Sequence, residues 1–135
     1  MDKYLLDTHT LLWFLLGDAS LGKKSQVLLT EAFEEGALAV SAISFWEIAL
    51  LESRNKIVLD ESIFSWREKV LDLGIHEYSI TGEIGIRSVQ LNNFHADPAD
   101  RLIVATALEY DRALVTADKA ILKWGGEVVV ENARK

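Results

Sequence analysis

Four acidic side chains from four separated segments are the residues of this chain best suited to chemistry. They are Asp7 in LLDTH, Glu47 in SFWEIAL, Asp100 in HADPADR and Asp118 in LVTAD. If the fold brings them together, their mutual repulsion is unfavourable and a divalent cation would relieve it. Carboxylate oxygens without cysteine favour Mg²⁺ or Mn²⁺ over Zn²⁺. Such a site suits metal-assisted hydrolysis of a phosphodiester.

Glu47 has the weakest local explanation of the four acids. It lies in AISFWEIALL, a segment almost free of polar groups, and no Lys or Arg stands three or four positions away on the expected helix. An ionised carboxylate on an apolar face is costly unless something compensates it. Compensation must come from elsewhere, and four sources are possible: a distant base such as Arg101, an edge facing water, a raised pKa, or a metal ion.

The other three acids also have local explanations. Asp7 and Asp118 each follow a strand-length apolar segment and precede a helical pattern, so each could simply cap a helix. Asp97 is a natural N-cap because Pro98 suits the first helical position. Asp100 then occupies the third helical position, from which it can reach back to the cap or point across the helix terminus toward the other acids.

The elements that must position these acids alternate along the chain. Strands are predicted at 3–6, 37–41, 75–80, 113–116 and 127–131. Helices are predicted at 8–17, 20–36, 42–56, 60–74, 81–93, 97–111 and 118–125, with Ser20 and Asp60 as cap candidates for the second and fourth. Continuously apolar strands between helices indicate a parallel sheet covered on both faces. Ligands of such sheets bind beyond the carboxyl ends of the strands, where Asp7 and Asp118 stand.

Composition narrows the class of protein. The 135 residues fit one domain, and the absence of cysteine excludes disulfides and thiolate sites. The net charge of −7 argues against a simple nucleic-acid-binding module with a basic face. The longest apolar run, residues 11–16, is far short of the ~18 residues that span a membrane. Asp2 and Asp7 stand where a signal peptide carries basic and apolar residues. A soluble, cytoplasmic protein without membrane contact is therefore expected.

Four segments together resemble the PIN-domain nucleases, specifically the VapC-like toxins of prokaryotic toxin–antitoxin modules. These segments are LLDTH, VSAISFWEIAL, HADPADRLIVATA and LVTAD, in family order over nearly the whole chain. The resemblance implies one PIN-like nuclease domain over 1–135, with a three-layer α/β/α fold and a five-stranded parallel sheet of order 3-2-1-4-5. It also implies a Mg²⁺- or Mn²⁺-dependent endoribonuclease with one or two ions, a homodimer, and a cognate antitoxin that blocks the site.

The same resemblance assigns site residues. Thr8 and Thr116 match small hydroxyl positions, where they could orient a carboxylate or could only make capping and strand-end hydrogen bonds. The acidic positions of the family fall on Asp7, Glu47, Asp100 and Asp118.

The sequence does not decide whether several residues near these acids take part in the site. These residues are Asp97, His9, His95, Arg101 and Lys119. Ordinary loop or helix positions are the simpler interpretation for both histidines, as is a solvated side chain for the lysine. Trp13 and the other three tryptophans lie among apolar residues, which favours the core or a dimer interface over base stacking.

Two other functions compete with the nuclease. A phosphatase with an aspartyl nucleophile would need a second Asp where DTHT has His9. A catalytically inactive RNA- or protein-binding PIN-like domain would keep the scaffold alone, and the presence of all four acids argues against it.

Overall fold

All five predicted strands form in the computed structural model, which describes residues 3–135. They are β1 (Tyr4–Leu6), β2 (Leu38–Ser41), β3 (His76–Tyr78), β4 (Ala113–Thr116) and β5 (Val130–Asn132). They pair in parallel in the order β3-β2-β1-β4-β5, which confirms the predicted sheet. Because β1 and β4 are neighbours, their carboxyl ends meet at one edge. Met1 and Asp2 lie outside the described residues, and so does the part of the signal-peptide prediction that depends on Asp2.

Seven helices connect these strands in the described part of the chain. They are α1 (Thr8–Leu16), α2 (Lys23–Glu34), α3 (Ala42–Ser53), α4 (Ile63–Asp72), α5 (Gly82–Val89), α6 (Pro98–Glu109) and α7 (Lys119–Trp124). Within residues 3–135, none of these helices combines the length and the apolar character that crossing a bilayer requires.

Both faces of the sheet are buried, as the continuously apolar strands predict. Successive side chains of a strand point to opposite faces. Leu6 accordingly packs into a cluster with apolar residues of α1 to α4, whereas Leu5 packs into a second cluster with residues of α6 and α7. Neither side chain is exposed at all. The two helical layers therefore cover both faces of the sheet, and its carboxyl edge can present functional groups.

Two helices begin later than predicted. Ser20 was expected to cap α2, but the cap is Gly22, without a side-chain hydrogen bond, because the chain there lies against the backbone of residues 134–135. Asp60 was expected to cap α4, but Ser62 does so by accepting a hydrogen bond from the first turn. A serine nearer the first apolar residue thus replaces the aspartate.

The helices α3 and α5 end earlier than predicted. Asn55 adopts a positive φ of 56°, which stops α3 at Ser53 instead of residue 56. The predicted helix over 81–93 stops at Val89 because the Arg101 guanidinium binds carbonyl groups between positions 88 and 95 and folds that segment back.

The last strand is shifted along the sequence. It was predicted at 127–131 but runs from Val130 to Asn132. Its register is set by β4, because Leu114 pairs with Val130 and Thr116 pairs with Asn132. Pairing across the sheet, rather than the apolar run itself, decides where this strand lies.

Candidate active site

The four acids singled out by the sequence line one pocket at the carboxyl edge of the sheet. The pocket has a volume of about 540 Å³. Asp7 follows β1 and Asp118 follows β4, while Glu47 projects from α3 and Asp100 from the first turn of α6. The structure therefore brings all four acids together, and it does so through the adjacency of β1 and β4.

Thr116 links two of the acids. It is fully buried, and its hydroxyl donates to Asp7 Oδ2 and accepts from the amide of Asp118 at 3.0 Å. Asp7 Oδ1 also accepts from the Thr10 amide at 2.9 Å, and Asp118 Oδ1 accepts from the Ile121 amide at 3.0 Å. Both aspartates thus cap helices as well as line the pocket, so the two interpretations of the sequence are compatible.

Glu47 is held by a hydroxyl group and not by a base. Thr8, which is buried, donates to Glu47 Oε1, and its Oγ1 also lies 3.0 Å from Ser44 Oγ. The predicted alternative of an ion pair with Arg101 is wrong. The Arg101 guanidinium donates instead to three backbone carbonyls between positions 88 and 95, at 2.8 to 2.9 Å.

Burial and mutual repulsion make the ionised carboxylates unfavourable. Burial raises the pKa of Asp7 although hydrogen bonds from Thr116 and Thr10 oppose the shift. Burial likewise raises the pKa of Glu47. The pKa of Asp100 rises to about 7, first through burial and then through the charges of its acidic neighbours, beginning with Asp97.

No Lys or Arg in residues 3–135 forms an ion pair with any of these four acids. The pocket therefore gathers carboxylates whose charge is not offset by an ion pair with any Lys or Arg of the described residues. A set of carboxylate oxygens with unneutralised charge is the donor set that a hard divalent cation prefers. The residues present fit such an ion.

His95 approaches this acidic set more closely than the sequence indicates. Its Nε2 lies 3.3 Å from Asp100 Oδ2. One ligand atom each from His95, Asp100 and Asp118 lie within 4.8 Å of one another, a grouping that could hold a metal ion. The only signal in the sequence was its position two residues before Asp97, which did not separate this arrangement from an ordinary loop histidine.

The pocket also contains residues whose part was open or unforeseen. His9 and Lys119 line it, and Asp97 lines it while capping α6, as predicted, through the Asp100 amide at 3.1 Å. Trp13 and Arg134 line it too. Trp13 packs against the core as predicted but keeps one side on the pocket. Arg134 stands near the end of the chain, where no local pattern connects it with a site.

Comparison with known proteins decides the family. The model of the PIN domain family matches residues 4–126. This chain belongs to the PIN domain family. The PIN domain is 34% identical over 122 residues to Ribonuclease VapC22 of Mycobacterium tuberculosis, an alignment that covers 90% of this chain and 91% of that protein.

Solved structures show the same fold. This PIN domain superposes on VapBC2 from Rickettsia felis, bound to a DNA fragment from its promoter, with a TM-score of 0.70 and 18% identity, covering 96% of this chain and 97% of that one. DNA-bound VapBC from Salmonella typhimurium gives a TM-score of 0.70 at 17% identity, covering 97% and 98%. At these identities the likeness concerns the fold alone.

Proposed function

We propose that this PIN domain is a metal-dependent endoribonuclease and the toxin component of a toxin–antitoxin module. The observation that carries the proposal is the convergence of four acids from four segments in one pocket, none of them in an ion pair with a Lys or Arg among residues 3–135. The ribonuclease relative and the fold shared with VapBC proteins support RNA as the substrate and an antitoxin as a partner.

The ion of this proposal is Mg²⁺ or Mn²⁺, with one or two ions in the site. Asp7, Glu47, Asp100 and Asp118 would supply its carboxylate oxygens. His95 would add a nitrogen ligand. When bound, a divalent ion supplies Lewis-acid catalysis and offsets the charge of the phosphate.

The hydroxyl groups around the acids have a positioning role in this proposal. Thr116 holds Asp7 from the interior of the sheet, and Thr8 holds Glu47 against α1. Removing a partner that orients a metal ligand typically costs about 10- to 100-fold in metal affinity or activity. We therefore assign Thr8 and Thr116 to the orientation of the acids and not to contact with the substrate.

The proposal extends to the assembly of the protein. We propose that residues 1–135 act as one nuclease domain in the cytoplasm, as a homodimer that also binds a cognate antitoxin. Large apolar side chains stand exposed on three helices, and such patches are typical of protein interfaces. Their exposures are 57% for Trp46, 81% for Phe64, 63% for Ile86 and 78% for Val89.

Cleavage of a fluorescent single-stranded oligoribonucleotide tests the enzymatic part. We expect the purified chain to cleave it with Mg²⁺ or Mn²⁺ and not in EDTA. Asp7→Ala should lower the rate about 1000-fold, within the range found for removal of a group that acts in the chemical step. Asp60→Ala, which removes an exposed acid outside the pocket, is the control.

Cleavage in EDTA, or wild-type activity of Asp7→Ala, would contradict the proposal. Calorimetric binding of Mn²⁺ without any cleavage of RNA would instead favour the catalytically inactive binding domain.

A further inference from the structure

Arg134 is placed at the acid pocket by the tertiary fold alone. Among the described residues, it and Lys119 are the Lys and Arg side chains that line this pocket, beside five acids. An RNA strand brings further negative charge to the same place, so a cation at the rim is the natural contact for its backbone. We propose that Arg134, carried on the ring of Trp13, binds an RNA phosphate next to the acids. This inference rests on the proposed function.

The Arg134 guanidinium is oriented by an aromatic ring, and no ion pair within the described residues 3–135 occupies its donors. Arg134 Cζ lies 5.2 Å from the centroid of the Trp13 ring, a cation–π contact. Trp13 itself packs against the apolar cluster under α1, so the ring is a fixed support. Within residues 3–135 the Arg134 guanidinium makes no ion pair, and the hydrogen bond found for this residue involves its backbone amide. A stacked arginine in this state presents a planar set of N–H donors that matches a phosphate.

The backbone on both sides of Arg134 is anchored to α2. Ala133 is fully buried, and its carbonyl accepts from the Gly22 amide at 2.9 Å. The Lys135 carbonyl accepts from the Lys24 amide at 2.8 Å. These bonds hold the last residues as an ordered segment and place Arg134 between two fixed points. A terminal arginine without such anchoring would lose its position to conformational freedom.

Gly22 makes this anchoring possible because it has no side chain. A Cβ at this position would lie 2.2 Å from the Lys135 carbonyl carbon and 2.4 Å from the Arg134 oxygen, which are backbone atoms that must then move. Gly22→Ala therefore displaces Arg134 without changing any charge. This variant therefore tests whether the position of the Arg134 guanidinium matters, whereas Arg134→Ala tests whether its charge matters.

The test is RNA binding as a function of salt. A fluorescent single-stranded oligoribonucleotide is titrated in Mn²⁺ against the full chain carrying Asp7→Asn, a change that the proposed function expects to prevent cleavage. The binding constant is measured by fluorescence anisotropy over a series of KCl concentrations. Each phosphate contact with a single strand contributes about 0.7 to the slope of log K against log salt.

We expect Arg134→Ala to lower that slope by about 0.7 and to weaken binding about fivefold near 100 mM salt. Arg134→Lys should restore the slope but not the full affinity, since lysine lacks the planar donors. Gly22→Ala should reproduce the weakened binding. Lys135→Ala is the matched control, because it removes the same charge one residue further along, outside the pocket.

Equal slopes and affinities for Arg134→Ala and Lys135→Ala would overturn the inference, as would a failure of the Asp7→Asn chain to bind RNA at any salt concentration. A different result would show that the proposed function is wrong. If the wild-type chain cleaves no RNA while binding still depends on Arg134, the nuclease assignment falls and the phosphate contact stands.

Discussion

The two ends of the parallel sheet both bury charge, but they treat it in opposite ways. At the amino end, Arg112 is only 9% exposed, and its guanidinium donates to Tyr78 Oη at 2.9 Å and to the carbonyls of Tyr4 and Ala37 at 3.2 and 3.0 Å. Its Cζ also lies 5.2 Å from the Tyr78 ring centroid. At the carboxyl end, Asp7 and Glu47 accept hydrogen bonds from threonine hydroxyl groups, and Asp7 and Asp118 accept from backbone amides. The acids also line one pocket together.

Pocket size does not distinguish these two ends. The pocket that includes Arg112 has a volume of about 580 Å³, and the acid pocket has about 540 Å³. The two ends differ in whether the buried charge has partners that compensate it. Arg112 is satisfied by acceptors of its own chain. In contrast, burial raises the pKa of Asp7, and burial together with neighbouring acids raises the pKa of Glu47 and of Asp100. Charge that a fold concentrates without compensating it is the stronger sign of a functional site.

Among the changes that test this comparison, the largest effect is expected at the amino end of the sheet. Arg112→Met should lower the free energy of unfolding by about 3 kcal/mol, because it removes three hydrogen bonds to a buried charged group. The rate of RNA cleavage per folded molecule should not change. Urea unfolding measures the first quantity, and Arg54→Met, at an exposed position, is the control. An unaltered unfolding midpoint, or a loss of activity without loss of stability, would show that the two ends do not differ in this way.

At the carboxyl end, a change at a supporting hydroxyl should affect activity more than stability. Thr8→Val removes the donor to Glu47, and we expect cleavage to fall about tenfold, as for other groups that orient metal ligands. Thr30→Val, on the exposed face of α2, serves as the matched control. A variant with wild-type rate and wild-type Mn²⁺ affinity would remove Thr8 from the site.

The smallest expected effect is a pH dependence of stability in EDTA. A carboxyl group whose pKa is raised in the folded state, such as Asp100 at about 7, binds its proton more tightly in the folded than in the unfolded chain. Stability should therefore decrease as pH rises from about 4 to about 7. We expect the Tm to fall over this window, and Asp100→Asn to reduce the fall by about 3 °C.

Mn²⁺ should raise the Tm more at pH 7.5 than at pH 5, because ionised carboxylates bind the ion. Asp60→Asn, at an exposed acid outside the pocket lining, should leave the slope of Tm against pH as in the wild type. A Tm that rises with pH over the same window would contradict the repulsion among the acids.

The order and type of the elements could be predicted from the sequence, whereas several of their ends could not. The strands around Leu5, Ala39 and Leu114 are buried on both faces of the sheet. A strand buried in this way must be continuously apolar, and a local stretch of sequence shows this directly. The start of α2 depends on contact with residues 134–135, and the position of β5 depends on its register with β4. Such partners are remote in sequence, so local patterns carry no information about them.

By itself, the sequence determined which carboxylates stand in apolar surroundings, because burial without a nearby base is a local property of the segments around Asp7 and Glu47. Only the tertiary structure decided what surrounds those carboxylates. It gave Glu47 a threonine instead of Arg101, brought His95 to Asp100, and carried Arg134 from the end of the chain to the pocket. The physical reason is that compensation of a buried charge acts over a few ångströms of space, and the fold alone determines which residues are that close.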